Sequence, residues 1–462
     1  MARRSIAGLA LAIAIFTPHS NAQSGTDLSA LNGLAPVAVL LNTPAGKAAL
    51  GANYAVTGGI QTGAVRQPTL LPFVEQQQQA LRDVFISRGN LAQLADGLGT
   101  TLGSAYVARA HYIDRENFTS ISKPIADVID FANSITEVNS NSGKYFFANQ
   151  TTNGSKPVSV EAATIFKKDG GSPDPFGQSY GRPAGSVGAD KYGDSRPFQT
   201  EPTLTIITGL DYFSSPADNE VLNRGPMTDL INSPSYPSGH TTYGYTGAVL
   251  LAVLVPERYQ QMITRGAEYG NDRIVVGAHY VMDVLGGRAL ALYDLAHLLA
   301  NDPNYLGHVT NGHANEGAPA VHDFRQAMET ARADMAKTLQ ASCGKVLEEC
   351  AREDTGRFSN SAANEAFYAS TQTYNLPVVY PANAVGTEDV GKLAPEAGYL
   401  LTAAFPSLTL QQADEILTET EGQGGGFLDN GSSFGVYSRL NLYAAAGRAA
   451  QLAGRHGAVV ER

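Results

Sequence analysis

Three helical runs follow one another between Tyr243 and Leu299: Tyr243 to Leu254, which reads as buried, then Glu257 to Val275 and Tyr280 to Leu299. Val255-Pro256 ends the first, because proline cannot continue a helix and biases the residue before it toward extended backbone. Consecutive helical runs of this length bury their apolar faces against one another, and helix-on-helix packing satisfies them. The chain is therefore read as all-α, with a helical bundle at its core.

Upstream, Ala80 to Ile86 and Leu91 to Ile113 carry apolar residues at helical spacings. Ile125, Val128, Ile129 and Ala132 repeat at i, i+3, i+4 and i+7, with Pro124 in the first turn. Residues 23–75 are rich in Gly, Ala, Thr and Pro with weak periodicity and read as an irregular N-terminal arm. Lys168 to Pro202 and Ser214 to Pro237 are Gly/Pro-rich and read as loops, where sites concentrate. Beyond a Gly/Asn-rich linker, Phe324, Met328, Ala331, Met335 and Leu339 form one stripe. Thr409 with Gln412 reads as a capping box, and Gly422 to Gly426 separates that helix from a last one over Leu440 to Leu452. The expected organisation is a leader (1–22), the arm (23–75), a catalytic helical bundle (76–305) and a helical C-terminal extension (306–462).

The leader assignment rests on Arg3 and Arg4 before the apolar run Ile6 to Phe16, followed by Ser20-Asn21-Ala22. That pattern is a signal peptide cut after Ala22, and it places the mature chain in the periplasm or outside the cell. The run is shorter than the ~20 residues that span a bilayer, and no later stretch qualifies. A net charge of -11 repels a phosphate backbone, so nucleic acid is not an expected partner. Cys343 and Cys350 are the only cysteines, close enough to close a small disulfide loop in an oxidising compartment, and their surroundings lack zinc-site spacing.

Three segments carry chemistry. Pro237-Ser238-Gly239-His240 directly precedes a helix, and a helix start points unsatisfied N–H groups at an anion. Arg273, His279 and Asp283 follow, with the His and Asp four apart on one helical face. A carboxylate holding Nδ1–H leaves Nε2 as the free, basic nitrogen of a nucleophile. Lys191 and Arg196-Pro197 supply cations in a polar loop, and Arg clasps two phosphoryl oxygens at once. An ordinary helix cap, a surface His/Asp pair and two solvated cations are the alternatives for each segment alone.

Taken in order, the segments resemble the signature of the type 2 phosphatidic acid phosphatase superfamily, which includes bacterial class A nonspecific acid phosphatases and vanadium haloperoxidases. The signature reads K-x6-R-P, P-S-G-H and S-R-x5-H-x3-D. The second segment matches in full, while Asp272 stands where the third has Ser, and Ala189 stands at the lysine position of the first, with Lys191 two residues closer to Arg196. The resemblance implies that His279 attacks phosphorus, Asp283 orients its ring, and His240 protonates the leaving alcohol. Arg196, Arg273, Ser238, the Gly239 amide and Lys191 would hold the phosphoryl oxygens, with no metal and no cofactor. The implied function is a secreted acid phosphatase acting on small-molecule phosphate monoesters, with a sub-neutral pH optimum and vanadate as an inhibitor. A haloperoxidase using vanadate as cofactor in the same cradle, and a non-catalytic phosphate-binding or envelope protein, are the competing readings.

Overall fold

The computed structural model describes residues 27–460 apart from 66–68, 88, 116, 172–188, 202–203, 226–228, 307–320 and 354–355. The expected leader lies outside the described residues.

The amino-terminal stretch departs from expectation. It is helical: α1 (Leu28–Leu34) and α2 (Pro44–Thr62) flank a 3₁₀ segment, Ala35–Asn42. Asp27 caps α1, and Thr43 caps α2 with Pro44 in its first turn. Gly63, at φ 75°, ends α2 in the left-handed conformation that favours glycine. The buried face of α2 includes Ala49, Leu50, Asn53, Thr57 and Ile60. These residues share a helical face, but two are polar, which is why the hydrophobic period looked weak.

The next helices are α3 (Phe73–Arg82), α4 (Thr100–Val107) and α5 (Lys123–Asn149). The helical spacing over Leu91 to Ile113 resolves into a 3₁₀ turn, Leu94–Leu98, then Gly99 at φ 94°, then α4. A glycine in that conformation breaks the run that its flanking apolar residues suggested. After α6 (Val160–Lys167) and α7 (Pro197–Thr200) comes the only sheet among the described residues. It is an antiparallel hairpin of β1 (Thr208–Leu210) and β2 (Pro216–Asp218), paired Thr208 to Asp218 and Leu210 to Pro216. The fold is all-α, as the sequence indicated.

After the short peripheral helix α8 (Asn219–Arg224), the core is formed by α9 (Gly239–Leu254), α10 (Tyr259–Val275) and α11 (Val281–Leu299), followed by the short α12 (Pro303–Leu306). Helix α9 packs against α5, α10 and α11. It is buried at every position but the half-buried Tyr243, and from Gly247 to Leu254 it is apolar all round, so it is the central rod of the bundle. Gly244 lets α10 approach: a Cβ there would stand 2.0 Å from a ring carbon of Tyr269. Each fully buried Leu or Val along α9 contributes ~1.5–3 kcal/mol relative to exposure.

The tail is helical too: α13 (Phe324–Cys343), α14 (Leu347–Arg352), α15 (Ser361–Thr373), α16 (Val390–Leu393), α17 (Tyr399–Thr402), α18 (Leu410–Glu419), α19 (Ser433–Arg439) and α20 (Leu442–Val460). The stripe from Phe324 to Leu339 is buried, and α13 packs on α5 and α9. Helices α15 and α20 cover α10, and α19 covers α11. Thr409 and Gln412 form the expected capping box at the start of α18. Cys343 and Cys350 are joined by a disulfide that ties α13 to α14. Among the described residues no single helix is long and apolar enough to cross a membrane.

Candidate functional site

The start of α9 builds one wall. Ser238 caps the helix, its Oγ accepting from the Thr241 amide at 3.1 Å and the Thr241 hydroxyl at 3.0 Å. Both contacts use lone pairs, so the Ser238 O–H proton is kept for a further acceptor. Ser238 is therefore the ordinary cap weighed as an alternative and a donor as well. His240, one residue into the helix, is buried rather than exposed.

The opposite wall is the junction of α10 and α11. Gly277, at φ 73°, turns the chain, and the amides of Ala278 and His279 both return to the Arg273 carbonyl, at 2.9 and 3.2 Å. Asp283 then opens α11: its Oδ2 accepts from the Tyr280 amide at 2.7 Å, from the Ser235 hydroxyl, and from Nδ1 of His279 at 3.4 Å. The carboxylate is thus a helix cap first and a looser partner of the imidazole second. Helix α2 completes the cap, because Asn53 accepts from the Met282 amide at 2.8 Å and Thr57 from the Val281 amide at 3.1 Å. The two polar residues that hid the periodicity of α2 fix the helix carrying Asp283. A bond from the Ser238 amide to the Asp283 carbonyl, 3.0 Å, locks the two walls together.

Arg196 closes the site beneath the histidines. It is fully buried, and its guanidinium donates to the carbonyls of Ser233 (2.7 Å), Pro234 (3.0 Å) and Ala278 (2.9 Å). Its Nη1 also stands 3.0 Å from Nε2 of His279, and Nδ1 of His240 stands 3.0 Å from the same nitrogen. A His279 ring protonated on Nδ1 satisfies every one of these contacts, with the Nε2 lone pair facing two donors. Arg273 donates to the Ala80 carbonyl at 2.9 Å, lies over the Tyr269 ring, and keeps a buried Nε with no partner among the described residues.

Lys191 is not in this group. It is exposed, with Nζ 5.0 Å from the centre of the Tyr192 ring. Being displaced by two positions from the lysine of the motif, it points to solvent. The sequence reading also missed Ser235, which bridges Asp283 and His279, and the pair Ser140 and Lys144 on α5. Ser140 and Lys144 line a cavity of 170 Å³ together with Gly239, His240, Thr242 and Tyr243. A lysine one turn from Ser140 on the buried face of α5, which also carries Asn133, Thr136 and Asn139, was the available signal.

The field of the site follows from its burial and its cations. Burial, then Arg196, His240, Lys144 and Arg273, hold His279 well below the usual imidazole range. Burial, then Arg273, Arg196 and Lys144, do the same to His240. Both rings are neutral in the empty site, and a neutral ring is what a nucleophile requires. Asp272, at the position of the family's Ser, is fully buried, and burial with Asp83 and Glu268 pushes it well above the carboxylate range. It is held as a neutral acid, so the exchange adds no negative charge beside Arg273.

Residues 185–302 match the family model described as the PAP2 superfamily. An acid phosphatase of Zymomonas mobilis is 38% identical over 120 residues, covering 26% of this chain and 38% of that protein. A non-specific acid phosphatase of Salmonella typhimurium is 45% identical over 69 residues, 15% of this chain and 28% of the relative. One from Providencia stuartii is 38% identical over 79 residues, 17% and 32% of the two chains. The chain thus spans less than two fifths of the length of each of these relatives. Arg196, Ser238, Gly239, His240, Arg273, His279 and Asp283 thus all lie in the stretch that matches the PAP2 superfamily model, and the chain is similar over part of its length to bacterial acid phosphatases.

Proposed function

We propose that the chain is an exported, metal-independent acid phosphatase that moves a phosphoryl group from a phosphate monoester to His279 and then to water. The observation that carries this reading is the setting of His279 Nε2, 3.0 Å from both Arg196 Nη1 and His240 Nδ1, with the Asp283 carboxylate behind the ring. Nitrogen attacks phosphorus as the ester P–O bond breaks, and His240 gives its proton to the departing alkoxide. Water, deprotonated by His240, then cleaves the P–N bond and releases phosphate. Arg196, Arg273, the Ser238 hydroxyl and the Gly239 amide hold the oxygens on which charge spreads. The similarity of part of the chain to bacterial acid phosphatases, with the PAP2 superfamily match over residues 185–302, supports the reaction class.

The test is phosphate release from an aryl phosphate by the purified protein in chelator, with and without orthovanadate. His279→Ala is expected to lower turnover by about 10³ or more. Bromide oxidation by peroxide after adding vanadate would assign the cradle to a haloperoxidase, and no turnover in the wild type would leave an anion binder. The pH profile is a second check. A bound phosphoryl anion offsets the cations that hold His240 neutral, and the proton it then takes up is more available in acid. kcat/KM is expected to rise as pH falls from about 8 to about 5, and a flat profile would count against the mechanism.

A further inference from the structure

The first motif segment has Ala189 where a lysine is expected, and Lys191 faces solvent, so the cradle lacks its ammonium within residues 185–302. We propose that Lys144 supplies it from α5, with Ser140 one turn earlier as a second donor, so that the phosphoryl group is held between the start of α9 and the middle of α5. This rests on the anion-cradle reading of the proposed function.

Placement is the first argument. A Cβ on Gly239 would stand 2.8 Å from Nζ of Lys144 and 3.2 Å from Oγ of Ser140. Both groups therefore meet the amide face that opens α9. Gly239 is the residue whose lack of a side chain keeps that space clear. The two side chains share a cavity with His240, the general acid of the proposed reaction.

Both groups are buried with donors to spare. Ser140 is 1% exposed, and its Oγ has no partner among the described residues. Lys144 is 8% exposed, and among the described residues no carboxylate pairs with it. Glu137 lines the same cavity and, with Asp283 and Asp194, only partly offsets the cost of burying an ammonium there, a cost that a purely structural apolar side chain would avoid. An anion is what removes the cost.

The electrostatics agree. Burial and then Arg196 push Lys144 down to about 7, against the opposing pull of Glu137, Asp283 and Asp194. Lys144 is also among the cations that depress His240 and His279, so it acts on the reacting groups. The free cradle therefore loses this positive charge as pH rises through about 7.

The experiment compares the full chain with Lys144→Met, Ser140→Ala and Lys191→Ala. Orthophosphate affinity is read by calorimetry and aryl phosphate hydrolysis by kcat/KM, both in chelator and across pH. Lys144→Met is expected to weaken orthophosphate binding and kcat/KM by about 10- to 100-fold, the scale of one charge-assisted hydrogen bond. It should also flatten the decline in affinity above neutral pH. Ser140→Ala is expected to lose about 3- to 10-fold. Binding by Lys144→Met within twofold of wild type, with the pH dependence intact, overturns the proposal, as does loss in Lys191→Ala in its place. If Lys144→Met does not fold, Ser140→Ala decides: affinity within twofold of wild type overturns it. A wild type that binds phosphate through Lys144 without turning over any ester would refute the phosphatase reading and leave this assignment standing.

Discussion

Asp283→Asn keeps the shape of a side chain while removing its charge, and the groups around it set the effect. Oδ2 of Asp283 receives the Tyr280 amide at 2.7 Å, the Ser235 hydroxyl, and Nδ1 of His279 at 3.4 Å. The Tyr280 N–H is backbone and can only donate, so the oxygen of the introduced amide takes the Oδ2 position and its nitrogen takes the other. His279 therefore keeps its Nδ1 proton and its nucleophilic tautomer. What is lost is the negative charge facing a ring that becomes positive as it attacks.

Full unit charges at 3.4 Å interact by ~5 kcal/mol at an effective dielectric constant of 20. With about half a charge developed on the ring, the loss is ~2–2.5 kcal/mol, or roughly 50-fold in kcat. KM for an aryl phosphate should move by less than about threefold, because the ground-state ring is neutral. Steady-state hydrolysis in chelator gives both numbers, and an unchanged melting temperature confirms the fold. A kcat within about threefold of wild type would refute the electrostatic role, whereas a fall near 10⁴ would mean an inverted amide holding the ring in the wrong tautomer.

Other perturbations test the scaffold. Arg265→Met strips both guanidinium bonds (2.7 and 2.8 Å) from Asp83, which is 1% exposed, and should cost ~3–5 kcal/mol in urea unfolding. Asp294 is buried, and burial holds its carboxyl well above the usual range, so the folded chain keeps a proton that the unfolded chain releases near pH 4. Its contribution is full below about pH 4 and is lost as pH rises toward the folded value, so Asp294→Asn should match wild type in melting temperature at about pH 4 and exceed it at about pH 8. Parallel melting curves would defeat that reasoning. Cys343→Ser opens a loop of sequence separation 7, and chain entropy sets the loss at ~2.4 kcal/mol, read as a lower midpoint against the unreduced parent.

Legibility in the sequence followed the physics of each element. Helices α9 and α11 were plain because their apolar residues leave no other way to bury them, and α10 because its helical run lies directly between them. The stripe of α13 and the Thr409/Gln412 cap were equally plain, being local signals with one structural solution. Helix α2 was missed because Asn53 and Thr57 sit on its buried face, where they accept the first amides of α11. Polarity that serves another element cannot be told from the polarity of a loop until that element is beside it. The apolar run after Leu91 erred the other way, since only the backbone reveals that Gly99 is left-handed.

The same distinction explains which half of the site was visible. Arg196, Ser238, Gly239, His240, Arg273, His279 and Asp283 lie in segments whose local order carries their meaning. Ser140 and Lys144 do not: nearly a hundred residues separate them from Gly239, and their neighbours Asn139, Asn141, Ser142 and Gly143 form no motif. An anion responds to where charge and donors stand, whatever stretch of chain brings them, so a lysine lost from one segment can be replaced from any helix that faces the same space. The pairing of an alanine at position 189 with a buried ammonium at Lys144, whose burial outweighs the pull of Glu137, Asp283 and Asp194, is what such a relocation requires. An Ala189→Lys change alone would crowd a second cation against Arg196, weakening each group's hold on its proton. Combined with Lys144→Met, it should recover part of the lost phosphate affinity if the cradle accepts charge from either side, and recover none if Lys144 acts only through packing.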